Sequence, residues 1–134
     1  MKHAEVQEKV MFYDTDCGGV VSNIAYLRFV EKARSALFDA LGMTAAEMTS
    51  SLLFPAVTRT EIDYLRPAKL GDGIIVLARV VRFDKVKIHC QFDLLSDRST
   101  NDSEICFARA VQQVVLVQMP SGRPGRVPLE WIEA

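Results

Sequence analysis

Apolar residues recur along the chain with two periods, which separate one helical stretch from several strands. The helical stretch covers residues 23–41. Tyr26, Phe29, Val30, Ala33, Leu37, Ala40 and Leu41 fall on one side at a spacing near 3.6, and Arg28, Glu31, Lys32, Arg34, Ser35 and Asp39 fall mostly opposite. Ser22 or Asn23 can cap its start and Gly42 can end it. At about 1.5 Å per residue this helix is roughly 30 Å long. It is the only long helix the pattern predicts, and its wide apolar face requires a sheet to cover it. Residues 44–51 add a short helical turn capped by Thr44.

The remainder reads as strand. Residues 5–13 alternate loosely and run into the turn-rich Asp14, Thr15, Asp16, Cys17, Gly18, Gly19. A strand over 55–65 is stopped by Pro67. Strands over 74–83 and 86–95 are joined by Asp84 and Lys85 as a two-residue hairpin turn. In the second of these, Val86, Ile88, Cys90, Phe92 and Leu94 face one way, and Lys87, His89, Gln91 and Asp93 the other. Residues 96–104 form a polar hairpin loop and 105–119 a long last strand. A Pro/Gly/Arg-rich tail at 120–128 follows, and 128–132 can make a final helical turn. The order is strand, long helix, then four strands. It predicts an α+β fold with a mainly antiparallel sheet on one helix. Residues 74–81 are apolar on both faces, more than a sheet with one wet side needs.

Composition narrows the function classes. The 134 residues fit one domain spanning 1–134, with 49% hydrophobic and 25% charged residues. Sixteen Lys+Arg against 17 Asp+Glu give a net charge of −1, so no broad attraction to nucleic acid is expected. Cys17, Cys90 and Cys106 are odd in number and lack CxxC spacing; only His3 and His89 could join them as nitrogen ligands. No metal site is therefore expected, and the odd count fits a reducing cytoplasm better than secretion. The N-terminal residues lack an apolar signal core, and no run of about 18 apolar residues suggests a membrane span.

The chemically informative stretch is Tyr13 to Asn23. It sets two carboxylates and two glycines directly before a helix start. Free N–H groups there carry partial positive charge and can hold a developing oxyanion. The glycines let the backbone turn tightly and approach a ligand. A carboxylate facing such donors can attack a carbonyl or activate water. The same residue types are ordinary turn and cap formers, so spacing alone leaves both readings open.

The run Asp14, Thr15, Asp16, Cys17, Gly18, Gly19, Val20, Val21, followed by Tyr26, Leu27, Arg28, Phe29, Val30, Glu31, Lys32, Ala33, Arg34, resembles the hotdog-fold acyl-CoA thioesterases. The likeness is to the 4-hydroxybenzoyl-CoA thioesterase group and its Tol-Pal-associated branch. A second block, Asp63 through Asp72, matches that group's second-strand signature. Together the two blocks carry the resemblance from about Val6 to Pro128. It implies a hotdog: a five-stranded antiparallel sheet wrapped around the 23–41 helix. It further implies an enzyme cleaving acyl-CoA, or an acyl-carrier-protein thioester, with no cofactor beyond the coenzyme A of the substrate. Asp16 would be the catalytic carboxylate and the N–H of Asn23 the carbonyl-polarising donor, with Gly19, Val20 and Ser22 lining the substrate site. The branch usually has Tyr-His where this chain has Ser22 and Asn23, so a histidine partner is missing; a backbone donor survives that change. The family builds its active sites between two subunits, which implies a homodimer or homotetramer here.

Other candidates carry less. Lys69, Lys85, Lys87, Arg123 and Arg126 could meet coenzyme A phosphates or simply solubilise the surface, and Arg98 is a weaker candidate. Cys17 reads as a turn filler without a histidine beside it. His89 and Cys90 point to opposite strand faces and form no dyad; His3 is expected to fray. Glu31 and Arg34 suit an i,i+3 ion pair. Arg59, Glu61 and Asp63 share a charged strand face. Two other functions compete. A hydratase or dehydratase needs a site histidine, and none lies in the motif. A non-catalytic acyl-CoA-binding module usually carries an attached domain, for which this chain leaves no room.

Overall fold

The computed structural model describes residues 2–98 and 104–133. Its elements in chain order are β1 (His3–Lys9), α1 (Asn23–Ala40), α2 (Ala45–Ser51), β2 (Leu53–Tyr64), β3 (Gly73–Phe83), β4 (Lys87–Ser96), β5 (Cys106–Gln118), β6 (Arg123–Pro124) and α3 (Leu129–Glu133). The sheet order is β1-β3-β4-β5-β2, every pair antiparallel, with β6 added on β5. The five expected strands are present, and the Pro/Gly/Arg-rich tail supplies the short sixth. The curled sheet and its one long helix are a hotdog.

Helix α1 begins where Ser22 takes extended backbone and its hydroxyl accepts the Ala25 N–H. Past its C-terminus Gly42 adopts φ +94°, a conformation that costs glycine little. Phe29, Val30, Ala33 and Leu37 are fully buried and meet the inward positions Ile88, Phe92 and Leu94 of β4. Each large side chain removed from water in this way stabilises the fold by roughly 1.5–3 kcal/mol. The helix packs on β1 and β3. The alternation expected along β4 is observed from Ile88 to Leu94.

Four expectations need correction. Ala40 is exposed, while Ala25 and Phe38 join the core in its place. In the last turn of α1 Phe38 stacks on Trp131 of α3, ring centroids 6.4 Å apart. The first strand stops at Lys9 because Asp14 accepts the Met11 N–H and folds Phe12–Asp14 into a 3-10 turn. The hairpin tip is Lys85-Val86, not Asp84-Lys85. Asp84 donates its N–H to the Lys87 carbonyl at 2.8 Å, and a bulge at Val81 shifts the register by one. His3 pairs with Arg79 as the first residue of β1 and is not frayed. Of the expected polar loop, residues 99–103 lie outside the described residues; its flanks are joined by an Arg98–Glu104 ion pair of 3.3 Å.

Candidate active site

The loop between β1 and α1 is held at both ends by backbone hydrogen bonds. Asp16 donates its N–H to the Val20 carbonyl at 2.9 Å, and Gly19 donates back to the Asp16 carbonyl at 3.1 Å. Gly19 needs φ +78° to close that turn, a conformation other residues rarely adopt. Thr15 pairs with Val21, and Val20 with Lys69 on the segment between β2 and β3. Val21 donates to the Ala68 carbonyl at 2.8 Å and Ser22 to the Asp14 carbonyl at 2.9 Å. The result is a rigid loop that presents Asp16 beside the start of α1.

Asp16 is exposed, and its Oδ1 accepts only the Gly18 N–H, at 2.8 Å. Oδ2 makes no hydrogen bond among the described residues. Asn23 is the first residue of α1, and neither its N–H nor that of Ile24 is bonded among the described residues. Asp16 and Asn23 line one cavity of about 260 Å³ with Val20, Val21, Tyr26, Tyr64, Leu65, Arg66 and Pro67. Asp16, with an unbonded carboxylate oxygen, and Asn23, with an unbonded helix-terminal N–H, thus line one recess among the described residues, an arrangement suited to polarising a carbonyl while attacking it.

Two aromatic residues support the recess. The Tyr26 hydroxyl accepts the Ala68 N–H at 3.1 Å, and burial pushes its ionisation above the ordinary tyrosine range. Tyr64 leans on it, centroids 5.4 Å apart, and its hydroxyl reaches the Asn23 carbonyl at 3.4 Å. Neither tyrosine was singled out for the site from sequence. The signal was available: Tyr26 lies one helical turn beyond Ser22, and Tyr64 ends the strand before Pro67.

The other expected site residues divide. Gly19 and Val20 belong to the loop itself, Lys69 bridges to Val20 from the segment between β2 and β3, and the Ser22 hydroxyl is engaged as the helix cap. Lys85 and Arg123 lie at the opposite end of the sheet. Tyr64, at the Asp16 end, pairs with Ala108, whereas Arg123 pairs with Gln118 and the Lys85 carbonyl accepts the Val127 N–H. From Ala108 to Val117 the strand covers roughly 30 Å at about 3.3 Å per residue. Lys85, Lys87, Arg123 and Arg126 form no ion pair among the described residues.

Residues set aside from sequence behave accordingly. Cys17 is exposed at the turn. Cys90 is buried, and its thiol is pushed up to about 12. His89 bonds Asp84 at 3.0 Å on the outer sheet face, far from this cavity, and that bond holds the Asp84 carboxyl below its usual range. Glu31 pairs with Arg34, and Arg59 with Glu61. A larger concavity, about 450 Å³, lies on that outer face between Arg59, Glu61, Val81, His89 and Gln113. It opposes no carboxylate to free N–H groups, so the smaller recess is the chemical candidate.

The sequence matches the thioesterase-like superfamily over residues 10–134. It is 28% identical over 123 residues to an acyl-CoA thioesterase, YbgC, of Haemophilus influenzae, covering 91% of this chain and 86% of that protein. It is 27% identical over 107 residues to the chloroplastic acyl-acyl carrier protein thioesterase ATL3 of Arabidopsis thaliana, covering 80% of this chain and 55% of that protein. The chain thus spans about half the length of the plant relative. Among solved structures, a probable thioesterase from Bartonella henselae superposes with TM-score 0.82 at 26% identity, covering 94% of this chain and 99% of the other. A mutant 4-hydroxybenzoyl-CoA thioesterase in complex with 4-hydroxybenzoyl-CoA superposes with TM-score 0.89 at 14% identity, covering 99% and 98%, which speaks to the fold. With the match running from the end of β1 through α3, the chain belongs to the thioesterase-like superfamily.

Proposed function

We propose that the protein hydrolyses acyl-CoA thioesters, with Asp16 as the catalytic carboxylate and the Asn23 N–H as the oxyanion donor. The observation that carries this is the shared recess: Asp16, with one carboxylate oxygen unbonded among the described residues, lines it together with Asn23, whose helix-start N–H is unbonded among them too. Relatives named as acyl-CoA thioesterases support the reaction class. The leaving thiol resembles free cysteine, pKa about 8.5, and departs as a thiolate with little help from an acid. The missing histidine is then no obstacle. Two routes use the same geometry. Asp16 can add to the carbonyl, expelling thiolate to leave an anhydride that water opens; or it can take a proton from the water that adds, with loss of thiolate giving the acid directly.

The cations at the far end find a role in a dimer. β2 is an edge strand with one side unpaired among the described residues. Two copies of β2 paired antiparallel about their midpoint bring one chain's Leu53 end beside the other's Tyr64 end. Lys85 and Arg123 of one protomer, unpaired among the described residues, then lie near the Asp16 loop of its partner, placed for coenzyme A phosphates. Further doubling to a tetramer would cover Leu77, Val81 and Val111, which are exposed on the outer face. Three free cysteines fit a reducing cytoplasm, and no helix among the described residues is long and apolar enough to cross a membrane.

The test is a thioester panel with free-thiol detection. It runs short aliphatic, medium aliphatic and aromatic acyl groups on coenzyme A and on carrier protein, beside crotonyl-CoA hydration. Thiol release by the parent and a loss beyond about 10³-fold in Asp16→Asn, with binding kept, support the proposal. Acyl-CoA binding without turnover of any thioester, hydration without thiol release, or an active Asp16→Asn would each reject it.

A further inference from the structure

The two carboxylates of the motif have opposite surroundings. Asp16 is exposed and held by one hydrogen bond to its own turn. Asp14, two residues earlier, is 2% exposed and saturated. Its Oδ1 accepts from Arg28 Nε at 3.2 Å and Nη2 at 2.9 Å; its Oδ2 accepts from Arg28 Nη2 and from the Met11 N–H, both at 3.0 Å. Its backbone carbonyl takes the Ser22 N–H at the helix cap. One residue therefore joins the turn after β1, the cap of α1 and the second turn of α1. Arg28 extends the link to Glu8 on β1 at 3.5 Å, where Lys32 also binds at 3.3 Å. The guanidinium carbon lies 4.6 Å from the Phe29 ring centroid and 5.7 Å from that of Tyr13.

We propose that Arg28 is a positioning residue: through Asp14 it fixes the distance between the Asp16 carboxylate and the N–H groups at the start of α1. The inference rests on the thioesterase reading given above. Arg28 touches neither the recess nor Asp16, so it acts only through the loop. Asp16 cannot set its own place, because its side chain bonds nothing outside residues 16–18 among the described residues. The loop is anchored to the helix by Asp14 on one side and to the segment between β2 and β3 by the bond of Val21 to Ala68 on the other. A planar fork that bonds both carboxylate oxygens and stacks on aromatic rings does what an ammonium cannot. Misplacing a reacting group by about 1 Å can cost about 10²-fold.

The experiment compares Arg28→Lys and Asp14→Asn with the parent in steady-state thiol release, well below each variant's unfolding midpoint. A second series carries the same changes in Asp16→Asn. The expected result is a fall in kcat of about 10- to 100-fold with KM within about threefold. In Asp16→Asn neither change should alter the residual rate by more than about twofold, because the carboxylate that the clamp positions is already gone. A folded Arg28→Lys or Asp14→Asn with parental kcat overturns the clamp while leaving the thioesterase reading in place. The same fractional loss with and without the Asp16 carboxylate also overturns it, since the effect would then be general. Full activity in Asp16→Asn overturns the clamp and the thioesterase mechanism together.

Discussion

The two ends of the sheet are built from different materials. At one end, Asp16, Asn23 and the Gly19 turn are set by backbone hydrogen bonds, and the groups that would do chemistry are a short side chain and main-chain N–H donors. At the other, Lys85, Lys87, Arg123 and Arg126 stand on a hairpin tip and a tail, as long side chains with no ion pair among the described residues. A reacting carbonyl needs groups held to within fractions of an ångström; phosphates need only charge within reach. The first end is fixed by main-chain hydrogen bonds, whereas the second offers charge on long side chains. Within one chain the two ends lie roughly 30 Å apart along the strand; in the proposed dimer a second chain would bring them together.

That comparison predicts complementation, the largest effect. Lys85→Glu with Arg123→Glu should raise KM by about tenfold or more and weaken its salt dependence, while Asp16→Asn is inactive. Co-assembled mixed dimers of the two variants should recover about half the parental rate at parental KM. One of their two sites pairs an intact Asp16 with intact partner cations. If each chain supplied its own cations, no mixed site would be intact, and recovery would be absent. Subunit mixing with separable tags, followed by thiol release, decides it.

How much of this was legible in the sequence follows the physics of each part. Helix α1 was readable because its caps and its 3.6-residue pattern are local, and Ser22 and Gly42 mark its limits as expected. β4 was readable because one of its faces is buried. Ala40 departs from the core face that the periodicity predicts, and Phe38, which that pattern leaves off both faces, is buried against Trp131, 93 residues further along the chain. Periodicity holds no information about that. The hairpin tip moved by one residue because the bulge at Val81 is a tertiary adjustment. In the motif, the identity of Asp16 came through the resemblance, whereas the burial of Asp14 did not. Nothing local announces that Arg28, 14 residues later, will turn back to hold it.

A smaller effect separates backbone from side chain at the first end. Asn23→Ala keeps the N–H and the helix start and removes only the amide. If the donor is the main chain, kcat should fall by less than about tenfold, a side-chain hydrogen bond being worth about 1 kcal/mol. A fall approaching that of Asp16→Asn would mean that the amide side chain does the work of the absent histidine. Measurement of kcat and KM with one good thioester from the panel distinguishes these outcomes.

The smallest effects come from the thiols. Cys17 sits at the exposed turn and Cys90 inside the sheet opposite Gln112. At pH 8 a disulfide reagent should label Cys17 in the folded chain and reach Cys90 only on unfolding, and Cys17→Ala should keep turnover within about twofold. Burial raises the Cys90 thiol from 9.0 to about 12. Below pH 9 both folded and unfolded chains hold that proton, and its contribution is constant. Above it, the unfolded chain releases the proton and the folded chain does not, so stability falls with rising pH until the folded thiol also ionises near 12. The slope due to one group is at most about 1.4 kcal/mol per pH unit. Tyr26, also raised by burial, acts in the same direction above pH 10. Cys90→Ala should therefore flatten the alkaline limb of denaturant unfolding between pH 9 and 10.5. Equal slopes in Cys90→Ala and the parent would mean that the thiol ionises in the folded chain, and that the middle of the sheet is wetter than its packing implies.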